Sequence, residues 1–170
     1  MSKLIPKTLI TPSHYYFWGG VFSNFYACNF TFKGLTFKSS EQAFMWCKAR
    51  HFGDVNISIQ ILEATSPKQA KDLGRKVSNF NNEEWDKVRY DYMVEVLIAK
   101  FSQNPHLKDQ LLSLSGKIAV EGSPYDKIWG VGLHWESKEI LDEANWRGQN
   151  LLGKALVQVT QNLLYQKTFG

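Results

Sequence analysis

Glu41 and Lys48 stand seven residues apart in the segment 41–48, Glu-Gln-Ala-Phe-Met-Trp-Cys-Lys. At 3.6 residues per helical turn, that spacing returns both side chains to nearly one face, roughly 10 Å apart along the axis. The residues between them are largely apolar, and Phe44 and Trp46 point to other faces. Charges on so apolar a helix usually either pair or take part in chemistry. The plain reading is a first-turn carboxylate complementing the helix dipole and a lysine snorkelling to water. The chemical reading is a carboxylate that stabilises an electron-poor carbon or moves a proton, beside an amine that attacks a carbonyl-like carbon. An attacking amine must be neutral. A lysine of ordinary pKa near 10.4 must fall by roughly three units, about 4 kcal/mol, to be so at neutral pH. Phe44 and Trp46 are the aromatic surroundings expected to supply this by desolvation.

Two further polar groups lie in aromatic or glycine-rich settings. Tyr125-Asp126 precedes Trp129-Gly130-Val131-Gly132. Asp126 either fixes a turn after Pro124 or offers a second carboxylate at a pocket mouth. Asn150-Leu151-Leu152-Gly153 opens a helical pattern, with Asn150 as an N-cap or a ligand contact. Gly153 inside that helix costs roughly 1 kcal/mol unless something needs close approach there. The chain has no phosphate-binding glycine loop, zinc-protease motif or nucleophile elbow. Its four histidines are scattered, so no metal site and no cofactor are expected.

The chain has 170 residues, 44% hydrophobic and 21% charged, which suits one α+β domain with a sizeable core. The aromatic share of 14% includes six Trp and eleven Phe. It reads as an aromatic core or as a pocket for a flat ligand such as a nucleobase. A net charge of +4 suits an anionic partner, a phosphate or a nucleic acid, although the basic residues are dispersed. Cys28 and Cys47 form no CxxC pair, and a reduced, cytoplasmic chain is expected. Met1–Pro6 lacks the apolar core of a signal peptide, and no apolar run is long enough to cross a bilayer.

Residues 1–14 read as an extended lead-in and 15–170 as the domain. Tyr15–Trp18 is strand-like. Asn29–Phe37 reads as a hairpin turning at Lys33-Gly34. Ser39 caps a helix running to about Phe52, with Gln42 completing a capping box. Asp54 caps a second helix, and Ser66-Pro67 opens a third that ends at Gly74. Asn81 begins the longest, to about Phe101, with Val88, Tyr92, Val96 and Ala99 as its core face. A further helix follows Asn104-Pro105, through Leu114. Ile118–Glu121 is a strand, and 136–146 is polar and irregular. The last helix starts near Asn150, with Leu152, Leu156, Val159 and Leu163 as its buried stripe. The pattern predicts several helices around a small, mostly antiparallel sheet.

From Phe17 to Leu164 the chain resembles the NADAR, or YbiA-like, family. The resemblance rests on Phe22-Ser23-Asn24-Phe25-Tyr26, the Lys33-Gly34 hairpin, Ser40–Phe44 through Lys48-Ala49, and Ser66-Pro67 to Leu73-Gly74-Arg75. It continues through Trp85-Asp86, Met93, Ala99–Phe101, Gly122–Asp126, Trp129–Gly132 and Asn150–Gly153. It implies an α+β fold and N-glycosidase chemistry on a ribose C1′–N bond. It places Glu41 and Lys48 on a catalytic helix, with Asp126 as second acid or base and Trp129-Gly130 on a second active-site loop. Ser23, Asn24, Phe25, Arg75, Trp85 and Asn150 fall on pocket walls. Trp85, Trp129 or Phe25 would sandwich a base. Arg75 and the start of the Asn150 helix would hold phosphate.

Three readings follow from the resemblance. One is removal of ADP-ribose from guanine in nucleic acid or nucleotides. Another is cleavage of phosphoribosyl-amine intermediates of riboflavin synthesis. The last is a non-enzymatic module binding ADP-ribose or another NAD-derived ligand. Two positions depart from the family pattern. Gln42 stands where most relatives carry His. Val131 stands where riboflavin-type relatives carry Asp, which favours the guanine branch.

Overall fold

The computed structural model describes residues 8–169. In chain order the elements are β1 (Thr8–Ile10), β2 (His14–Phe17), β3 (Phe30–Phe32), β4 (Leu35–Phe37), α1 (Ser40–His51) and α2 (Val55–Leu62). They continue with α3 (Pro67–Gly74), α4 (Asn82–Ser102), α5 (Pro105–Ser113), β5 (Ile118–Glu121) and α6 (Leu151–Phe169). This is an α+β chain, and it divides into two compact units, residues 1–23 with 106–170, and residues 24–105. The first seven residues of the expected lead-in lie outside the described residues. Thr8–Ile10 of that lead-in forms β1, antiparallel to β2.

In the first unit the strand order is β1-β2-β5, with β2 and β5 parallel. The consecutive residues Tyr15, Tyr16 and Phe17 are all buried, as in a strand covered on both faces. Helix α6 packs on β5, and its Leu152, Leu156 and Val159 are fully buried. A Cβ on Gly153 would overlap the Ala119 carbonyl oxygen. This glycine, in the first turn of α6, therefore answers to the close approach its cost suggested. The stretch 136–146 holds two 3₁₀ turns, Lys138–Leu141 and Glu143–Asn145, capped by Ser137 and Asp142. Ile140 anchors them in a cluster with Tyr16, Val120, Val131 and Leu133.

In the second unit β3 and β4 form the expected hairpin, pairing Phe30 with Phe37. Lys33 and Gly34 both take positive φ, 51° and 78°, which the tight two-residue turn requires. Ser39 caps α1 by accepting from the Gln42 N–H at 3.1 Å. The capping-box expectation needs one change. Gln42 Oε1 accepts from the Lys38 N–H at 2.8 Å, and Nε2 donates to the Ile61 carbonyl at 2.9 Å. Gln42 thus ties α1 to the end of α2. Asp54, Ser66 and Asn81 cap the next three helices as their types predict. Gly74 lets α3 approach α1, since a Cβ there would overlap Met45 Sδ.

The core face of α4 is rotated from the expected one. Trp85, Arg89, Met93, Val96, Leu97 and Lys100 are buried, whereas Val88, Tyr92 and Ala99 are half-buried. Arg89 and Lys100 broke the apolar count along this face. Arg89 is held by Asp86 at 2.8 Å, and Lys100 lies over the rings of Phe101 and Tyr26.

Candidate active site

Helix α1 presents the acid and the amine. Glu41 is 8% exposed at its first turn. Its own N–H donates to the Asn24 carbonyl at 2.9 Å. Ser40 Oγ donates to Asn24 Oδ1 at 2.8 Å. Asn24 is itself buried, so the start of the loop carrying Phe25 is pinned to the end of the helix that holds the carboxylate.

Lys48 is half-buried, and its Nζ lies 4.5 Å from the centre of the Phe80 ring. Burial lowers its pKa below the ordinary 10.5. The Glu41 charge pulls it back up, and the Arg75 guanidinium pushes it down. Two causes favour the neutral amine and one opposes them, with desolvation the largest. Glu41 and Arg75 are therefore both within electrostatic range of this amine.

The source of the desolvation differs from expectation. Phe44 packs on Trp85, with ring centres 5.3 Å apart. Trp46 packs on Phe37 and Phe32 of the hairpin. The ring against Lys48 is Phe80, which sequence reasoning missed. Its signal was an apolar ring set among Ser78, Asn79, Asn81 and Asn82, where nothing in the local pattern needs one. Phe80 and Phe25 are 43% and 44% exposed, so both offer ring surface to a ligand. Lys71 lies over Phe25 at 5.7 Å.

The other expected wall residues of this unit separate into two kinds. Arg75, just past the end of α3, is exposed and meets Asp72 only at 3.9 Å, which leaves its guanidinium largely available. Trp85 is 6% exposed and packed by Phe44, His51, Phe52 and Tyr92. It supports α1 from behind and presents no open face for a base.

In the first unit the side chains of Asp126 and Asn150 bind main-chain groups. Ser23 is buried in a turn, its N–H donating to the Gly20 carbonyl at 3.0 Å. Asp126 Oδ1 accepts from the N–H groups of Ile128 and Trp129, both at 2.9 Å. That is the turn-fixing role, one of the two that the sequence left open. Gly130 is buried where a Cβ would crowd the Asp126 and Glu121 carbonyls. Trp129 is half-buried, and its carbonyl accepts from the Leu152 N–H.

Asn150 stands at the N-cap position of α6, its carbonyl accepting from the Lys154 N–H, but its side chain does not cap the helix. It sits at φ 54°, accepts from the Glu121 N–H at 3.1 Å and donates to the Ala119 carbonyl at 2.9 Å. The N–H groups of Gln149, Asn150, Leu151 and Leu152 donate to the carbonyls of Lys127, Gly130, Ile128 and Trp129. The expectation that the start of this helix holds a phosphate is corrected on this point. These donors are already spent on the preceding loop.

The comparisons with known proteins bear on this geometry. The NADAR domain profile matches residues 16–164. The chain belongs to the NADAR family. It is 44% identical over 123 residues to N-glycosidase R617 of Acanthamoeba polyphaga mimivirus, covering 72% of each chain. It is 31% identical over 148 residues to N-glycosidase YbiA of Escherichia coli, covering 87% of this chain and 84% of that one. The NMR structure of E. coli YbiA matches with a TM-score of 0.77 at 27% identity, over 97% of this chain and 93% of that one. It is also 31% identical over 144 residues to riboflavin biosynthesis protein VVA0006 of Vibrio vulnificus, covering 85% of this chain but 35% of that protein. The family match spans residues from both units. No helix among the described residues is long and apolar enough to cross a membrane.

Proposed function

We propose that this NADAR protein removes ADP-ribose from guanine in nucleic acid or nucleotides. As a family member with relatives named N-glycosidases, the chain is an enzyme that hydrolyses N-glycosyl bonds. The observation that carries the chemistry is the α1 pair, and Val131 in place of Asp favours the guanine branch. A buried carboxylate and the Arg75 cation act on a half-buried lysine whose pKa burial lowers, and the Phe80 ring lies 4.5 Å from its Nζ.

Breaking a C1′–N bond leaves C1′ electron-poor as the amine departs. Glu41 stabilises that charge and passes a proton between water and the leaving nitrogen. Lys48 supplies a covalent route. With the sugar ring open, its neutral Nζ attacks C1′, and the guanine nitrogen leaves carrying a proton. The lysine–C1′ imine then adds water and releases the sugar and the free amine. Arg75 holds phosphate, and Phe80 lies against the departing base. Asp126 Oδ1 fixes its own turn, and the steps written here use Glu41 and Lys48 alone.

The test is release of ADP-ribose from an oligonucleotide carrying ADP-ribosylated guanine, with borohydride added during turnover. Released ADP-ribose and a sugar adduct on Lys48 are the expected results. Tight ADP-ribose binding with no product over hours would replace the enzyme with a binding module. A second reading, release of ribose 5-phosphate from a phosphoribosyl pyrimidine amine, is supported by the similarity to VVA0006 and opposed by Val131. Turnover of that substrate alone would establish it.

A further inference from the structure

Four cations, Lys68, Lys71, Arg75 and Lys76, and one carboxylate, Asp72, occupy residues 67–76, on and just past α3. Lys71 and Arg75 are four residues apart, so they share one face of the helix, about 6 Å apart along it. Arg75 acts on the reacting amine Lys48, whereas Lys71 lies over Phe25. Phe25 follows Asn24, which is pinned to the Glu41 end of α1. The surface therefore carries two exposed rings, each with an ammonium over it, and a guanidinium acting on the reacting amine. A phosphoribosyl amine has one flat ring and one phosphate, and leaves half of this set unused. A molecule with two flat rings joined through a diphosphate uses all of it.

We infer that Phe25 and Lys71 form a second subsite, which holds the nucleoside diphosphate end of the substrate and sets the preference for dinucleotide-sized over mononucleotide-sized adducts. This deepens the reading above and rests on its placement of the reacting sugar at Glu41 and Lys48. Phe80 serves the base next to the broken bond, and Phe25 the distal base. Lys71 and Arg75 hold the two phosphates between them, as point charge and fork respectively.

The subsite is tested first by titrating ADP alone into the full chain, with no turnover required. The wild type binds ADP. Phe25→Ala and Lys71→Ala each weaken it by roughly five- to tenfold or more, in the range of one lost base stack or desolvated cation contact. Lys71→Arg restores most of the affinity. Lys68→Ala removes the same charge from the same helix, at a lysine paired with Asp72 and not placed over Phe25, and leaves ADP binding unchanged. Kinetics then compare an ADP-ribosylated guanine substrate with one trimmed by a phosphodiesterase to the 5′-phosphoribosyl form. Phe25→Ala and Lys71→Ala raise KM at constant kcat for the first and leave the second unaltered. Absence of ADP binding, equal losses on both substrates, or an equal loss in Lys68→Ala would overturn the subsite. ADP binding with these mutant effects, but no cleavage of ADP-ribosylated guanine, would leave the subsite standing and remove the proposed activity.

Discussion

The two units of this protein use their polar residues in opposite ways. In residues 24–105, Glu41 and Arg75 act as charges on Lys48, and exposed rings stand beside two ammonium groups. In the other unit, Asp126 and Asn150 are bound to main-chain groups, and their neighbours Gly130 and Gly153 make room for carbonyls. Motif residues of the same family thus divide into those that shape a charge environment and those that brace a loop. A motif match alone does not separate them. The separation comes from asking where each donor and acceptor is already spent.

The largest expected effect tests that division directly. Glu41→Gln keeps the shape of the side chain and removes its charge, so kcat falls by about 10² to 10⁴-fold with the melting temperature nearly unchanged. Asn150→Ala does the reverse. It strips two hydrogen bonds from buried main-chain groups, and stability falls by about 2 to 4 kcal/mol while the folded fraction keeps its kcat. Steady-state kinetics beside urea melts decide the matter. A catalytic loss in Asn150→Ala without a stability loss would place it in the site instead.

Much of this was legible in the chain. Ser39, Asp54, Ser66 and Asn81 are short polar side chains ahead of helical runs, and each caps its helix because capping is a local matter. The Lys33-Gly34 turn and the Leu152, Leu156, Val159, Leu163 stripe were readable for the same reason. Glu41 and Lys48 were visible as charges on an apolar helix. The ring that meets Lys48 was not, because Phe80 lies 32 positions on and only tertiary packing brings it there. The true core face of α4 was hidden by Arg89 and Lys100, two charged residues that local pattern assigns to solvent.

The contrast recurs within the second unit between two lysines of lowered pKa. Lys48 is half-buried among groups that tune its charge. Lys100 is fully buried, pulled down to about 8 by desolvation, with Cys28 opposing. Its folded value lies below the ordinary 10.5, so between those pH values the unfolded chain binds more protons than the folded one. Stability from this group therefore rises as pH increases from 8 to 10.5, by on the order of 3 kcal/mol. In Lys100→Met that rise disappears from urea midpoints measured across the interval, and kcat at neutral pH stays near the wild-type value. A flat wild-type profile that matches the variant would show that Lys100 keeps a folded pKa near the ordinary 10.5, as a solvated amine does.

The smallest effect concerns Arg75, and its sign is what matters. The covalent route needs neutral Lys48, so kcat/KM rises with pH through the pKa of that lysine. Arg75 is a like charge that lowers this pKa. In Arg75→Ala the lysine holds its proton to higher pH, and the acid limb of the rate profile moves up. The exposed guanidinium acts partly through solvent, so the displacement shrinks as salt is raised. A substrate without phosphate isolates this effect from lost binding. A limb that moves to lower pH, or one indifferent to both Arg75 and salt, would mean that a group other than Lys48 sets it. The amine on α1 would then join Asn150 among the residues whose work is to hold the fold.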